Sequence, residues 1–347
     1  MSTRRDPHPR RVGRPLKRFL RTALLSSLVL VVGGCGGNED TLHAHSGAES
    51  SIVHLWWIMF GAACVGFGVV VFLLFLGWTR RNREAISEDG TERKATALVV
   101  VLGVVIPVAV LSLLFVWSDI FVVRSTAAPS PGSAALTIDV IGHQWWWEVR
   151  YPGTDAVTAN EIHIPTNTRV RVVGTTADVI HSFWVPELNR KIDLIPGRTN
   201  TVLLDATTRG VFRGQCSEFC GLQHAHMTVE VVAEPPAAFQ KWLANMAKPA
   251  RAPTTATEQS GRALFLDDSC ASCHQLRGTP ARGNVGPDLT HLATRTTLAA
   301  LTIPNQPSSL RAWIKDPQHY KPGSKMPAVP LNNVQLTELT AYLNSLH

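Results

Sequence analysis

Two long apolar runs dominate the N-terminal third of this 347-residue chain. The first extends from Ile52 to Trp78, and the second extends from Ala95 to about Val123. Each run is long enough to cross roughly 30 Å of hydrocarbon as a helix, and a helix satisfies its own backbone hydrogen bonds there. The sequence therefore predicts a transmembrane two-helix hairpin over residues 51–123.

The basic residues around these runs predict how the hairpin is oriented. The segment Gly36 to Ser51, before the first run, contains no Lys or Arg. The segment between the runs carries Arg80, Arg81, Arg83, Arg93 and Lys94. Because loops rich in Lys and Arg stay on the cytoplasmic side, we expect a multi-pass protein of a bacterial cell membrane. The N-terminal segment and everything after Val123 would then lie on the extracytoplasmic side.

The first 34 residues have the organisation of an export signal. A basic region precedes the apolar run Ala23 to Val32, which is followed by the small-residue sequence VGGC. This ending resembles that of bacterial lipoprotein signals, which implies cleavage before Cys35, lipid on its thiol and an extracytoplasmic segment over residues 35–50. A plain cleaved signal and an additional membrane helix are the alternatives.

The basic character of the chain is confined to this leader. Residues 1–34 carry eight Lys or Arg against one acidic residue, Asp6, which accounts for the whole formal net charge of +7. The remainder is nearly neutral, so the charge gives no support for binding nucleic acid.

The rest of the chain divides into two regions with different patterns. Residues 134–235 contain short alternating segments such as LTIDVIG, TRVRVVG and MTVEVVAE, broken by Pro, Gly and Asn. These predict an antiparallel β sandwich or barrel. Residues 236–257 read as a helix, AAFQKWLANMA, and an exposed Pro- and Ala-rich linker, KPARAPTTATE. This linker predicts tethering without rigid docking. Residues 258–347 have the size of a second compact domain.

The β region contains a set of soft ligands. The segment CSEFCGLQHAHM begins at Cys216, and HSFWVPEL begins at His181. Mixed imidazole, thiolate and thioether ligands suit copper. A single blue copper needs only one Cys, so the second thiolate indicates two coppers. A disulfide between Cys216 and Cys220 is the alternative, but it explains neither the His nor the Met spacing. Zinc would leave the thioether idle.

This pattern resembles the dinuclear copper A centre of cytochrome c oxidase subunit II, in which a cupredoxin domain holds the metal. The resemblance implies that both thiolates bridge the coppers, that each imidazole binds one copper, that the thioether is a weak ligand, and that one backbone carbonyl contributes. The implied ligands are His181, Cys216, Glu218 (through its carbonyl), Cys220, His224 and Met227. His226 also lies close to Met227, but the spacing in the family selects His224.

The same resemblance implies further roles. In HQWWWEV, which begins at His143, Trp145 would lie over the copper centre where electrons enter, while Trp146 and Trp147 could equally be core or membrane-interface residues. The Glu218 carboxylate and Asp193, in KIDLIPGR, would bind magnesium at the contact with subunit I.

The second region carries the motif CASCH from Cys270 to His274. Two thiols separated by two residues and followed by His indicate covalent c-type haem attachment through Cys270 and Cys273, with His274 as the proximal iron ligand. A bare CxxCH also occurs in redox and zinc sites. Here it is accompanied by GRALF, GPDL and GSKMP, and together these resemble class I cytochromes c.

Met326 is the only Met after the haem motif and is the natural distal ligand. His291 and His319 are the alternatives. The resemblance also implies that the carbonyl of Pro287 accepts a hydrogen bond from the ring of His274. It implies further that the C-terminal helix VQLTELTAYLNSL packs on the GRALF helix.

Both sites have closed coordination, so the chain should carry electrons and leave bond making to a partner. We interpret it as a multidomain membrane protein with a two-helix transmembrane hairpin, an all-β cupredoxin domain and an all-α cytochrome c domain. It would be subunit II of a bacterial haem-copper oxidase. Electrons would pass from an external donor, such as a cytochrome c or a bc complex, through haem c and copper A to subunit I. There oxygen is reduced to water and protons are pumped; subunit III is a further expected partner.

Two other classes remain open. Nitrous oxide reductase has a similar copper centre, but it lacks the two-helix anchor and needs a second, His-rich copper cluster. A stand-alone membrane-tethered electron carrier has the same sequence features as an oxidase subunit. Co-purification with a multi-helix subunit that carries haem would distinguish an oxidase subunit from a stand-alone carrier.

Overall fold

The structure is a computed structural model that describes residues 37, 39–80, 88–267 and 269–347. The predicted signal and Cys35 lie outside the described residues.

Two long helices follow the apolar runs. Helix α1 spans Gly47–Arg80. The second run forms a nearly continuous helical rod that ends at Thr126. Its parts are α2 (Glu88–Val100), α3 (Ile106–Trp117) and α4 (Arg124–Thr126), joined by the π-helical turns Val101–Val105 and Ser118–Val123. Both helices are long and apolar enough to cross a membrane. The first π-helical turn ends two residues before Pro107, whose missing N–H disturbs the regular hydrogen bonding of a helix.

Ten strands form two facing sheets. The strands are β1 (Leu136–His143), β2 (Trp146–Arg150), β3 (Val157–Ala159), β4 (Glu161–Pro165), β5 (Val170–Thr176), β6 (His181–Trp184), β7 (Ile192–Leu194), β8 (Asn200–Leu204), β9 (Gly210–Cys216) and β10 (Thr228–Glu234). One sheet has the order β3-β2-β1-β5-β8, and the other has the order β4-β10-β9-β6-β7. We call this unit the β domain.

The pairing within these sheets differs from the antiparallel arrangement predicted from the sequence. Strand β1 pairs with β5 in parallel, and β4 pairs with β10 in parallel. The reason is that the chain leaves the first sheet after β3, adds β4 to the other sheet, and returns beside β1 in the same direction. Strand alternation reports burial but not direction, so this crossover was not visible in the sequence.

Alternating side chains of the two sheets form the core of the β domain. In β1, Ile138 and Val140 are fully buried, and Trp147 of β2 lies edge-on to Phe183. Burying side chains of this size contributes about 1.5–3 kcal/mol each. Helix α5 (Pro236–Met246) closes one side of the core.

The C-terminal region is helical, as predicted. It contains α6 (Ala256–Asp267), α7 (Cys270–Cys273), α8 (Pro307–Lys315), α9 (Pro317–Tyr320) and α10 (Asn333–Asn344), with one small ladder of β11 (Thr297–Leu298) and β12 (Ile303–Pro304). Helices α6 and α10 pack on each other, which confirms the predicted contact between GRALF and the C-terminal helix. They cross at Gly261, where a Cβ atom would lie 2.1 Å from the carbonyl oxygen of Glu338. We call this unit the haem domain.

The linker between the two domains is mostly exposed, but the expectation of tethering without docking is wrong for this structure. The N–H of Ala250 donates to the carbonyl of Arg277 (2.9 Å), and the Arg277 guanidinium donates to the carbonyl of Met246 (2.5 Å). Beyond the linker, the haem domain lies directly against the β domain. Linker composition could not show this, because the contacts come from residues far away in the sequence.

Candidate copper and haem sites

Strand pairing brings the predicted copper ligands together. Cys216 ends β9, and the loop to β10 carries Cys220, a short 3₁₀ turn at His224–His226, and Met227. Strand β6 begins at His181 and pairs with β9, with Phe183 opposite Cys216. This pairing places His181 beside a loop that lies 35 residues further along the chain.

The donor atoms converge on a small volume. The two thiol sulfurs are 3.8 Å apart, well beyond the roughly 2.05 Å of a disulfide, so these two cysteines are not disulfide-bonded. Nδ1 of His181 lies 3.9 Å from Cys216 Sγ, and Nδ1 of His224 lies 3.6 Å from Cys220 Sγ. The thioether of Met227 is 3.8 Å from Cys220 Sγ. The carbonyl of Glu218 is 3.2 Å from Cys216 Sγ.

The surroundings prepare these groups for a soft metal. The neighbouring Cys220 thiol and the ring of His181 together lower the pKa of the buried Cys216 thiol. Nε2 of His181 lies 2.9 Å from Oδ1 of Asp178, which orients the ring and leaves Nδ1 facing the sulfurs. A set of two buried sulfurs, one buried and one half-buried imidazole and a buried thioether fits copper.

The neighbouring His226 has a different environment. Its exposed ring lies 2.7 Å from the side-chain oxygen of Gln223, so this ring already has a partner outside the cluster of donors. The geometry therefore agrees with the choice of His224.

The three tryptophans of HQWWWEV have separate positions. We call residues 216–227 the copper loop. The indole N–H of Trp145 donates to the carbonyl of Cys220 (3.0 Å) and so links this ring to the copper loop. Trp146 stacks on the ring of His143 at 4.2 Å. Trp147 is fully buried, so of its two expected roles the structure shows the core position.

The two carboxylates predicted to bind magnesium lie on neighbouring segments. Glu218 is exposed in the copper loop, and Asp193 of β7 accepts a hydrogen bond from Ser182 Oγ (2.8 Å). The carbonyl of the same Ser182 accepts the N–H of Ser217 (2.9 Å). Ser182 therefore connects both segments.

A cavity of about 380 Å³ occupies the haem domain. Its wall includes all five residues predicted for haem: Cys270, Cys273, His274, Pro287 and Met326. Nδ1 of His274 lies 2.8 Å from the carbonyl of Pro287. Among the residues that line the cavity in the described part of the chain, His274 is the only imidazole and Met326 the only thioether.

The cavity wall fits a haem. Gly286 lies so close to His274 that a Cβ atom there would be 2.5 Å from the ring. Burial lowers the pKa of His274, which favours the neutral imidazole that binds iron. Arg295 is buried in the wall, and its Nε has no hydrogen-bond partner among the described residues. A buried guanidinium with an unused donor fits a haem carboxylate.

The other two candidate distal ligands do not line this cavity. The ring of His291 lies 3.1 Å from the carbonyl of Lys248. The ring of His319 packs edge-on against Tyr320. Neither residue belongs to the cavity wall, so the geometry favours Met326.

The β domain completes the wall of the haem cavity. Gln144, Trp145, Trp146 and Asn160 face the same space as the haem-domain residues. Trp145 thus contacts the haem cavity on one side and the copper loop on the other.

Several residues around the sites were missed in the sequence. Asp178 precedes His181 by three residues, and the tendency of metal-bound imidazoles to donate to a carboxylate could have found it. Arg295 and Lys321 belong to no motif, and only the fold brings them to the cavity wall.

Comparisons with known proteins agree with this arrangement. Residues 154–234 match the family model "Cytochrome C oxidase subunit II, periplasmic domain", and residues 258–347 match "Cytochrome c". The chain is 31% identical over 334 residues to cytochrome c oxidase subunit 2 of Alkalihalophilus pseudofirmus, covering 93% of this chain and 95% of that protein. It is 28% identical over 295 residues to the Bacillus subtilis protein of the same name, covering 80% and 82%.

Among solved structures, the periplasmic domain of subunit II of cytochrome oxidase from Bradyrhizobium japonicum is similar to part of the chain. It is 35% identical, covers 35% of this chain and 96% of that one, and has a TM-score of 0.33.

Fold and sites together define a membrane-anchored electron-transfer protein with a copper site in a β domain and a haem site in a helical domain. The chain belongs to the cytochrome c oxidase subunit II family. The subunit II domain implies copper A, and the cytochrome c domain implies haem. The predicted family and fold class are confirmed.

Proposed function

We propose that this chain works as subunit II of a haem-copper oxidase and carries electrons from haem c to copper A and on to subunit I, where oxygen is reduced. The observation that carries the proposal is the position of Trp145. Its ring lines the haem cavity, and its indole N–H donates to the carbonyl of Cys220. One side chain therefore connects both predicted redox sites.

Copper A and haem c, when bound, supply reversible one-electron chemistry. The residues present would hold both groups with complete ligand sets, and the copper group would be kept away from water, because Cys216, Cys220 and Met227 are all buried. Rigid ligands also limit rearrangement when an electron arrives, since Asp178 fixes the ring of His181.

We propose covalent haem attachment in the second domain. Cys270 and Cys273 would form thioether links, with His274 and Met326 as the axial ligands. The hydrogen bond from His274 to the carbonyl of Pro287 supports this assignment, because it orients the ring and increases its basicity.

Magnesium at the contact with subunit I is a further proposal, with Glu218 and Asp193 as ligands. Hard carboxylate oxygens suit this ion. The exposure of Glu218 supports the assignment, because a partner subunit can then reach it.

We also propose the wider setting. The chain would cross a bacterial cell membrane twice, with both redox domains on the extracytoplasmic side and Cys35 as the lipidation site. Subunits I and III would be its partners, and a cytochrome c or a bc complex its electron donor. The basic residues between the two helices support this orientation.

Purification of the chain from membranes tests the main proposal. We expect a multi-helix subunit with haem to co-purify, and we expect rapid mixing with a donor to reduce haem c before copper A. Trp145→Phe, which removes only the indole N–H and one ring, should slow the second step. Trp242→Phe, in α5 and stacked on His163, is the matched control. A chain that purifies alone and consumes no oxygen would instead be a stand-alone carrier.

A further inference from the structure

The contact between the two domains contains a buried lysine. Lys321 belongs to the haem domain, in the loop between α9 and Met326, and it is 3% exposed. Its Nζ donates to three backbone carbonyls: Trp145 at 2.8 Å, His226 at 2.8 Å and Ala299 at 3.1 Å. Two of these carbonyls belong to the β domain and one to the haem domain.

This arrangement is unusual for a lysine. Lysine side chains are almost never fully buried, because removing the terminal nitrogen from water is costly unless its donors are satisfied. Here three carbonyls match the three donors of an ammonium group. The loop that holds Lys321 could have turned this side chain into solvent. The buried position therefore indicates a specific contact.

The two acceptors in the β domain are not arbitrary positions. Trp145 is the residue that lines the haem cavity and donates to the carbonyl of Cys220. His226 lies in the short turn that also contains His224. Lys321 thus joins the backbone of the proposed electron bridge to the backbone of the copper loop.

Further hydrogen bonds cross the interface between the two domains near Lys321. Gln223 Nε2 donates to the carbonyl of Pro322 (2.7 Å), and Thr228 Oγ1 donates to the carbonyl of Ala300 (2.5 Å). A third contact, the ion pair of Lys325 with Asp178 (3.3 Å), is half-exposed and therefore weak. Hydrogen bonds of this kind select one docked geometry better than apolar contact does.

We infer that Lys321 is a positioning residue that holds the haem domain on the β domain in one orientation, with Trp145 between the haem cavity and the copper loop. This role rests on the proposed electron transfer from haem c to copper A. Lys321 lies in the wall of the haem cavity but is none of the predicted copper or haem ligands. It acts through the carbonyls of Trp145 and His226.

The test uses the complete chain in its complex, loaded with copper and haem. In Lys321→Met the side chain keeps its length and loses its donors, so three backbone carbonyls lose a partner. We expect the docked fraction, and with it the rate of electron transfer from haem c to copper A, to fall by about tenfold or more. Lys315→Met makes the same replacement at an exposed position at the end of α8 and should match the parent chain.

Hydrogen exchange supplies a readout that is independent of electron transfer. Residues 221–228 and 296–301 both lie at the interface, where Thr228 bonds Ala300 and Lys321 bonds His226 and Ala299. In Lys321→Met their amides should exchange faster, while the amides of α10 keep their protection. Lys321→Gln, which retains a shorter donor, should recover part of both the rate and the protection.

Three results separate the possibilities. An unchanged rate and unchanged protection in Lys321→Met would overturn the inference. Loss of protection throughout the haem domain, including α10, would also overturn it, because Lys321 would then be needed for folding and not for docking. If the parent chain transfers no electron from haem c to copper A, the proposed function fails, and the exchange experiment still decides whether Lys321 holds the domains together.

Discussion

The carboxylate of Asp178 lies between the two redox domains, with Oδ1 2.9 Å from Nε2 of the predicted copper ligand His181. Its other oxygen, Oδ2, accepts the backbone N–H of Gln144 (2.7 Å) and pairs with Lys325 of the haem domain (3.3 Å). Lys325 directly precedes Met326. The charge of Lys325, which belongs to the haem domain, can therefore act through Asp178 on the ring of His181 at the predicted copper site.

Replacement of this carboxylate should raise the reduction potential of copper A. In Asp178→Asn the ring of His181 loses an anionic acceptor, becomes a weaker donor to the metal, and stabilises the oxidised state less. Copper affinity should also fall, by about 10- to 100-fold as for other partners of metal ligands. Redox titration of the copper signal measures the first effect. Lys325→Gln should shift the potential in the opposite direction and by less, since this lysine is half-exposed.

The copper count can be tested by changing single ligands. Cys216→Ser should abolish a mixed-valence copper signal, because each copper would then lose one of its two sulfur ligands. Met227→Leu should alter the signal much less, since a thioether is the weakest ligand of the set. Electron paramagnetic resonance and metal analysis report both outcomes. His226→Ala is the control for His224→Ala, because the ring of His226 bonds Gln223 instead of facing the sulfurs. One copper per chain in the parent protein would contradict the dinuclear assignment.

The distal haem ligand can be tested at Met326. In Met326→Ala the haem should remain covalently attached, its reduction potential should fall, and small ligands should bind the open distal position. Absorption spectra with carbon monoxide and a redox titration measure these changes. An unchanged potential without new ligand binding would assign the distal position to another residue.

Docking of the two domains should depend on pH through Lys321. Burial lowers the pKa of this lysine from its ordinary value of 10.5 to about 7. If the undocked side chain has its ordinary pKa, the docked form binds fewer protons between pH 7 and 10.5. Docking should then strengthen as pH rises through this window and be weakest below pH 7. The neutral amine still has two N–H donors for the carbonyls.

Protection factors of residues 221–228 and 296–301 measure this effect, because they already correct for the intrinsic pH dependence of exchange. The same factors should change less with pH in Lys321→Met. An equal pH dependence in the parent chain and in this variant would assign it to another group.

The candidate ligands can be recognised in the sequence because their chemistry depends on short spacings. CSEFCGLQHAHM and CASCH each hold most of a candidate site within one short segment, and the resemblance to known families implied the full ligand sets. His181 required the resemblance to a family, since its approach to Cys216 depends on the pairing of β6 with β9. The alternation of β1 and β5 likewise predicted strands and burial, but it did not show that these strands run parallel.

The relation between the domains could not be predicted in this way. The residues next to Lys321 form no apolar pattern that would predict its burial. Its acceptors Trp145 and His226 lie 176 and 95 residues away in the sequence. The exposed linker suggested independent movement. The expectation drawn from its composition is wrong for this structure, because docking depends on contacts outside the linker.

Truncation after Ala250 tests whether the haem domain lies on the main electron path. The hydrophobic cores of the two domains share no residue, so the β domain and α5 should fold without residues 251–347. We expect copper A and the assembly with subunit I to be retained. Turnover with a donor that normally reduces haem c should be greatly slowed, because the docked haem is lost and Trp145 becomes exposed.

Added small soluble cytochromes should restore part of the rate by docking near Trp145. They should have much less effect on the complete chain, where the haem domain covers this residue. Oxygen consumption by the purified complex measures both rates, and a full rate in the truncated oxidase with its own donor would mean that the haem domain has another role.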